Sequence, residues 1–155
     1  MKVLQPPLLD DIATNSEREA FMVAARDSLA AACPERVVLR GMVDPTTLPD
    51  ESLRKGVLTL IATGRDSWLM HTGREGEYGR LEFVIVGYVR LKGTDESTER
   101  LERTEAQLEH EVLQWVRDEL KPAPLDAVYP LRCSYSGGLE TPMGWFVMEL
   151  EGRYV

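Results

Sequence analysis

Leu81-Glu82-Phe83-Val84-Ile85-Val86-Gly87-Tyr88-Val89-Arg90-Leu91 is the stretch that decides the fold. Its apolar residues recur with a period of two. Leu81, Phe83, Ile85, Val89 and Leu91 fall on one face, interrupted by Gly87, and Val84, Val86 and Tyr88 fall on the other between Glu82 and Arg90. That period marks a strand, and a strand apolar on both faces is one that is covered on both. A central strand is therefore expected over residues 81–91. In a domain with few helices, the face of Val84, Val86 and Tyr88 has no evident cover of its own.

Working outward, two further strands precede it. Residues 36–43 set Val37, Leu39 and Val43 against Val38, Arg40 and Met42, and residues 56–63 carry the run Val57-Leu58-Thr59-Leu60-Ile61. Asp44-Pro45 and Leu48-Pro49-Asp50 break the pattern between them. After the central strand, a closing hairpin is expected. Tyr129, Leu131, Cys133 and Tyr135 alternate on its first strand, and Phe146, Met148, Leu150 and Tyr154 on its second. The turn runs from Ser136-Gly137-Gly138 to Pro142-Met143-Gly144.

Two helices complete the order. Ser16-Glu17-Arg18-Glu19 has the form of a capping box, followed by Phe21, Ala24, Ala25, Ser28, Leu29 and Ala32 at helical spacing, with Pro34 as the stop. A longer helix is expected over residues 95–120, capped by Thr94 or Asp95. Its stripe is Leu101, Leu108, Val112, Trp115 and Glu119, widened by Leu113, Val116 and Leu120. Acids crowd its first half, which suits the positive pole of the helix dipole, and Lys121 suits the other pole. The prediction is an α+β fold in the order α-β-β-β-α-β-β, with two helices packed on one face of a mostly antiparallel sheet. Residues 1–14 read as a flexible N-terminal arm and residues 15–155 as one domain.

Composition narrows the function classes. Eighteen basic and twenty-six acidic residues give a net charge of -8, which disfavours phosphate backbones and anionic membrane surfaces. Residues 1–11 lack the basic and apolar regions of a secretion signal, and no apolar run reaches the ~20 residues of a spanning helix. Cys33 and Cys133 are too few for a disulfide scaffold and are expected as reduced thiols.

No motif points to catalysis, a cofactor or a metal. His71 and His110 stand apart, with no second ligand at metal spacing. The acids of the second helix, beside Arg100 and Arg103, read as ion-paired solvent positions. Gly73-Arg74-Glu75-Gly76-Glu77-Tyr78-Gly79 lacks the Gly-Lys-Ser/Thr ending of a phosphate loop and precedes a strand.

The strongest functional signal is the linker of residues 64–80, far longer than the ~2–5 residues of an ordinary hairpin loop. It carries Arg65, Trp68, Leu69, Met70 and Arg74, residue types favoured at protein interfaces. One reading is an extended hairpin whose tip returns to its own domain; the other is an arm that orders against a neighbouring subunit. Together with Val84, Val86 and Tyr88, these are the candidate interface residues.

The element order resembles that of the tail terminator (minor tail, or tail-completion) proteins of long-tailed bacteriophages. The likeness runs from Glu17 onward. It is carried by the opening helix ending Ala31-Ala32-Cys33-Pro34 before Arg36-Val37-Val38-Leu39, the strand Leu81-Glu82-Phe83-Val84-Ile85-Val86, the polar helix around Glu105-Ala106-Gln107-Leu108-Glu109, and the closing strand Trp145-Phe146-Val147-Met148-Glu149-Leu150. The resemblance implies a protomer of a ring, commonly six-fold, that caps the tail tube, stops its polymerisation and presents a surface for head joining. Its partners would be further copies of itself, the tube protein and the head–tail connector. It would work in the virion tail after assembly in the bacterial cytoplasm, with no catalytic residue, cofactor, nucleic acid or membrane involved. A different head–tail connector or a tube subunit is the nearest alternative. From another class comes a ligand-binding or catalytic domain with residues 64–80 as a lid.

Overall fold

The computed structural model describes residues 5, 8–9, 16–70, 77–92, 97–137 and 140–154, with backbone alone for 65–70 and 77–78. Most of the arm, His71, Arg74, Thr94 and Asp95 lie outside these residues. The elements are α1 (Glu17–Ala32), β1 (Val37–Arg40), a 3-10 turn (Pro45–Thr47), α2 (Asp50–Lys55), β2 (Val57–Met70), β3 (Glu77–Arg90), α3 (Thr98–Arg117), β4 (Leu125–Tyr135) and β5 (Met143–Tyr154). The five strands form one sheet in the order β1-β2-β3-β5-β4. β1 and β2 are parallel and the other three pairs antiparallel, so the sheet is mixed and mostly antiparallel.

The long helices share a face, as the sequence predicts. Phe21, Met22, Ala25 and Leu29 of α1 and Leu108, Val112, Trp115 and Val116 of α3 join one core with Leu58, Leu60, Phe83, Ile85, Phe146, Met148 and Leu150 of the sheet. Phe21 is fully buried, with its ring 5.7 Å from that of Phe83. Burial of such a side chain contributes about 1.5–3 kcal/mol. Ser16 caps α1, its hydroxyl accepting from Glu19 N–H at 3.3 Å. For α3 the cap is Ser97, which accepts from Arg100 N–H, so the helix starts later than residue 95. It also ends earlier, at Arg117, and Leu120 is 90% exposed beyond it. Lys121 closes that end, donating to the carbonyls of Trp115 at 2.7 Å and Val116 at 3.3 Å.

Three further expectations are corrected. A short helix, α2, and a 3-10 turn occupy residues 45–55, where prolines had suggested only a break. A parallel β1–β2 pair requires such a crossover, since a tight turn can only reverse the chain. The first strand is accordingly four residues long, and Met42 is 89% exposed past its end. Most consequentially, residues 64–70 and 77–80 are strand rather than linker, which agrees with the extended-hairpin reading as far as these residues go. They extend the β2–β3 ladder to the pair Met70–Glu77, past an irregularity between Ala62 and Arg65 at Gly64, whose φ is +85°.

The crossover also supplies the missing cover. Thr59 Oγ1 donates to Gly41 O at 2.5 Å, Asp50 pairs with Arg90 at 3.3 Å, and Leu53 is buried. These contacts lay residues 41–55 over the face opposite α1 and α3. Val86 is thereby 8% exposed, and burial, with a smaller contribution from the Asp44 charge, raises the Tyr88 phenol above its ordinary pKa. Val86 is covered within the monomer, contrary to expectation.

Candidate assembly surface

The interface candidates of the sequence separate into two groups. Arg65, Trp68, Leu69 and Met70 all belong to β2, where Trp68 stands opposite Gly79, Leu69 opposite Tyr78 and Met70 opposite Glu77. β1 pairs with β2 only as far as Leu60, and β5 pairs with β3 only from Gly79 onward. The β2–β3 hairpin therefore projects past both neighbours. Over residues 61–70 no described strand pairs with the outer edge of β2. At about 3.3 Å per residue, that edge is about 30 Å long. Free edges of this kind are ready templates for a partner strand.

Val84, Val86 and Tyr88 form the second group, on the face away from the long helices. Val86 and part of Tyr88 lie beneath the crossover, while Val84 is half-buried beside Ile61 on β2 and Glu149 on β5. Beyond Val84 this face turns charged. Arg132 pairs with Glu149, Arg80 and Arg153 each approach Glu151 at 3.8 Å, and the Arg153 guanidinium lies 5.0 Å over the Tyr129 ring. The apolar part open to a partner is thus narrower than three residues suggest. A cleft of about 300 Å³ here is lined by Thr63, Glu82, Val84, Arg132 and Glu149 among others. The described part of the segment proposed as a lid is sheet ladder.

The sequence did not offer the residues of the far sheet edge as interface candidates. β4 is the far edge strand, and Tyr129, Leu131 and Tyr135 on it are 43%, 56% and 63% exposed. They do not share a face, because a register shift between Pro130 and Arg132 sets Tyr129 opposite Glu151 but Tyr135 opposite Phe146. Bulges and proline on an edge strand hinder uncontrolled pairing. Leu125 and Val128 are the residues this strand buries.

Glu105 on α3 is 3% exposed, not a solvated acid. It accepts a hydrogen bond from Ser136 Oγ and another from Trp145 N–H at 3.1 Å, tying α3 to β5 and to the residue that follows β4. A signal existed: Glu105 lies four residues after Leu101 and three before Leu108, on the buried stripe itself. Arg103 and Glu99 do form the expected exposed pair. Arg36 grips Glu111 at 3.1 and 3.2 Å, and Arg40 grips Glu19 at 3.0 and 3.1 Å. These bidentate pairs join the β1 region to α3 and α1.

Cys33 and Cys133 are free thiols. Burial is the main cause that pushes the Cys133 thiol up to about 12, with Glu109 adding to it. His110 is exposed on α3. Among the described residues there is no cluster of three or more potential metal ligands, and no helix is long and apolar enough to cross a membrane.

No family model matches the chain, and no curated protein matches it. Among solved structures it is similar to a chain described as the virion of a native gene transfer agent particle. The two share 13% identity at a TM-score of 0.49, over 91% of this chain and 98% of that one.

Proposed function

We propose that this chain is a structural protein of a phage-type virion tail, a terminator whose ring caps the tube, ends its growth and offers a surface for head joining. It acts by shape rather than by chemistry, with further copies of itself, the tube protein and the head–tail connector as partners. The observation that carries the reading is the projecting β2–β3 hairpin, whose edge over residues 61–70 is left unpaired by β1. Such an edge suits docking onto the terminal ring of a tube through main-chain hydrogen bonds, with Arg65, Trp68, Leu69 and Met70 as contact residues. The blunted far edge, β4, suits a surface to which no further tube subunit adds. Assembly takes place in the bacterial cytoplasm and the product resides in the virion tail.

Tube polymerisation followed by electron microscopy tests this. Wild-type protein is expected to bind tube ends and shorten the length distribution. Trp68→Ala with Met70→Ala should fold but lose capping. Val86 is a poor target, since a charge there would be buried beneath the crossover. Tubes of unchanged length with wild-type protein would refute the assignment.

A further inference from the structure

A second surface, separate from the hairpin, carries a more specific reading. Between α2 and α3 lies a cleft of about 230 Å³ lined by Arg36, Arg54, Lys55, Arg100 and Arg103, with no acidic residue among its lining. Five of the chain's eighteen basic residues thus converge in a protein of net charge -8. The opposite flank of α3 has the reverse character. Glu102 and Glu109 lie beside Tyr135 of the edge strand β4, with Glu105 beneath them, around a hollow of about 310 Å³. Helical spacing produces the division: residues 100, 103, 104 and 107 share one flank and residues 102, 106 and 109 the other, with the core stripe between them.

We propose that the basic cleft receives the acidic flank of α3 from a second copy of this chain, with Glu102 and Glu109 entering it and Tyr135 packing against its rim. This deepens the ring reading and rests on it, because it names the surfaces by which neighbouring copies join. A contact between two different surfaces is heterologous, and repeated head to tail it closes into a ring when the rotation allows. Charge argues for this occupant. A chain of net charge -8 repels its own copies, and association needs a local patch of opposite sign. Three of the cations keep only loose internal partners: Arg54–Asp50, Lys55–Glu51 and Arg103–Glu99 are exposed pairs one helical turn apart. Such pairs contribute little and exchange partners at small cost. Tyr135, 63% exposed on an edge strand, adds an aromatic anchor of the kind enriched at interfaces.

Charge-reversal complementation tests the inference. One variant carries Glu102→Lys with Glu109→Lys; the other carries Arg54→Glu with Arg103→Glu. Arg36 is left alone because its bidentate pair with Glu111 supports the fold. By sedimentation velocity, wild-type protein should self-associate at low ionic strength and dissociate as salt is added. Each variant alone, its fold checked by circular dichroism, should associate at least about tenfold more weakly. An equimolar mixture should recover association, since each variant then offers what the other lacks. A wild type monomeric at low salt, a variant that associates like wild type, or a mixture that fails to recover overturns the proposal. So does a cleft variant that associates normally but loses calorimetric binding of inorganic phosphate, which would make the cleft a small-anion site. The capping assay keeps the two readings apart. Unimpaired capping by both variants sinks this inference alone, and recovered association without any capping sinks the tube reading alone.

Discussion

Phe146 on β5 stands opposite Gly87 on β3, and its ring fills the space a β-carbon at Gly87 would take, with a ring carbon 2.2 Å from that position. The break in the apolar face of the central strand is thus a place for a neighbour's side chain. Gly87→Ala is expected to destabilise the fold by about 1–3 kcal/mol through overpacking. Phe146→Leu should cost less in the Gly87→Ala background than in wild type. Denaturant melts of the double-mutant cycle measure that coupling, and additive costs would show that the two positions do not compete for space.

Glu105 provides the second expectation. Glu105→Ala leaves the Trp145 N–H without its carboxylate acceptor in a part-buried site, at a cost of about 1–3 kcal/mol. Glu105→Gln keeps a side-chain acceptor and should lose less. Amide exchange at Trp145 should quicken in the alanine variant and stay slow in the glutamine variant.

The Glu19–Arg40 pair gives a pH dependence. The Arg40 hydrogen bond, outweighing the opposing effect of burial, holds the Glu19 carboxyl below its ordinary value of 4.5. A depressed folded-state pKa contributes stability that is present above the unfolded value and lost as pH falls through the folded one. Glu19→Gln should therefore lower the melting temperature at neutral pH, and the gap from wild type should shrink as pH drops below 4.5. A gap that is constant across this range would mean the pair adds no charge-dependent stability.

The thiols are expected to be inert. Cys33 is 3% exposed, and Cys133 has its pKa pushed up to about 12, so little thiolate exists at neutral pH on either. Thiol-directed reagents should label the native protein far more slowly than the unfolded chain. Reducing agent should leave the melting temperature unchanged, and a marked drop would reveal a disulfide.

Much of this protein is written in local pattern. The period of two in residues 81–91, the Ser16 cap and the stripe from Leu101 to Trp115 each depend on neighbours within a few residues, so sequence by itself determined the long helices, the central strands and their common face. Tertiary structure decided what depends on distant partners. The parallel pairing of β1 with β2 turned an apparent break into a crossover that covers Val86, because the direction of a strand is set by the strand it meets. Glu105 became a buried bridge because Ser136 and Trp145, 31 and 40 residues away, bring a hydroxyl and an amide to its carboxylate. Residues 64–70 and 77–80 show the same division: their polar and apolar residues form no clean alternation, and they become strand because each side of the hairpin supplies the other's hydrogen bonds.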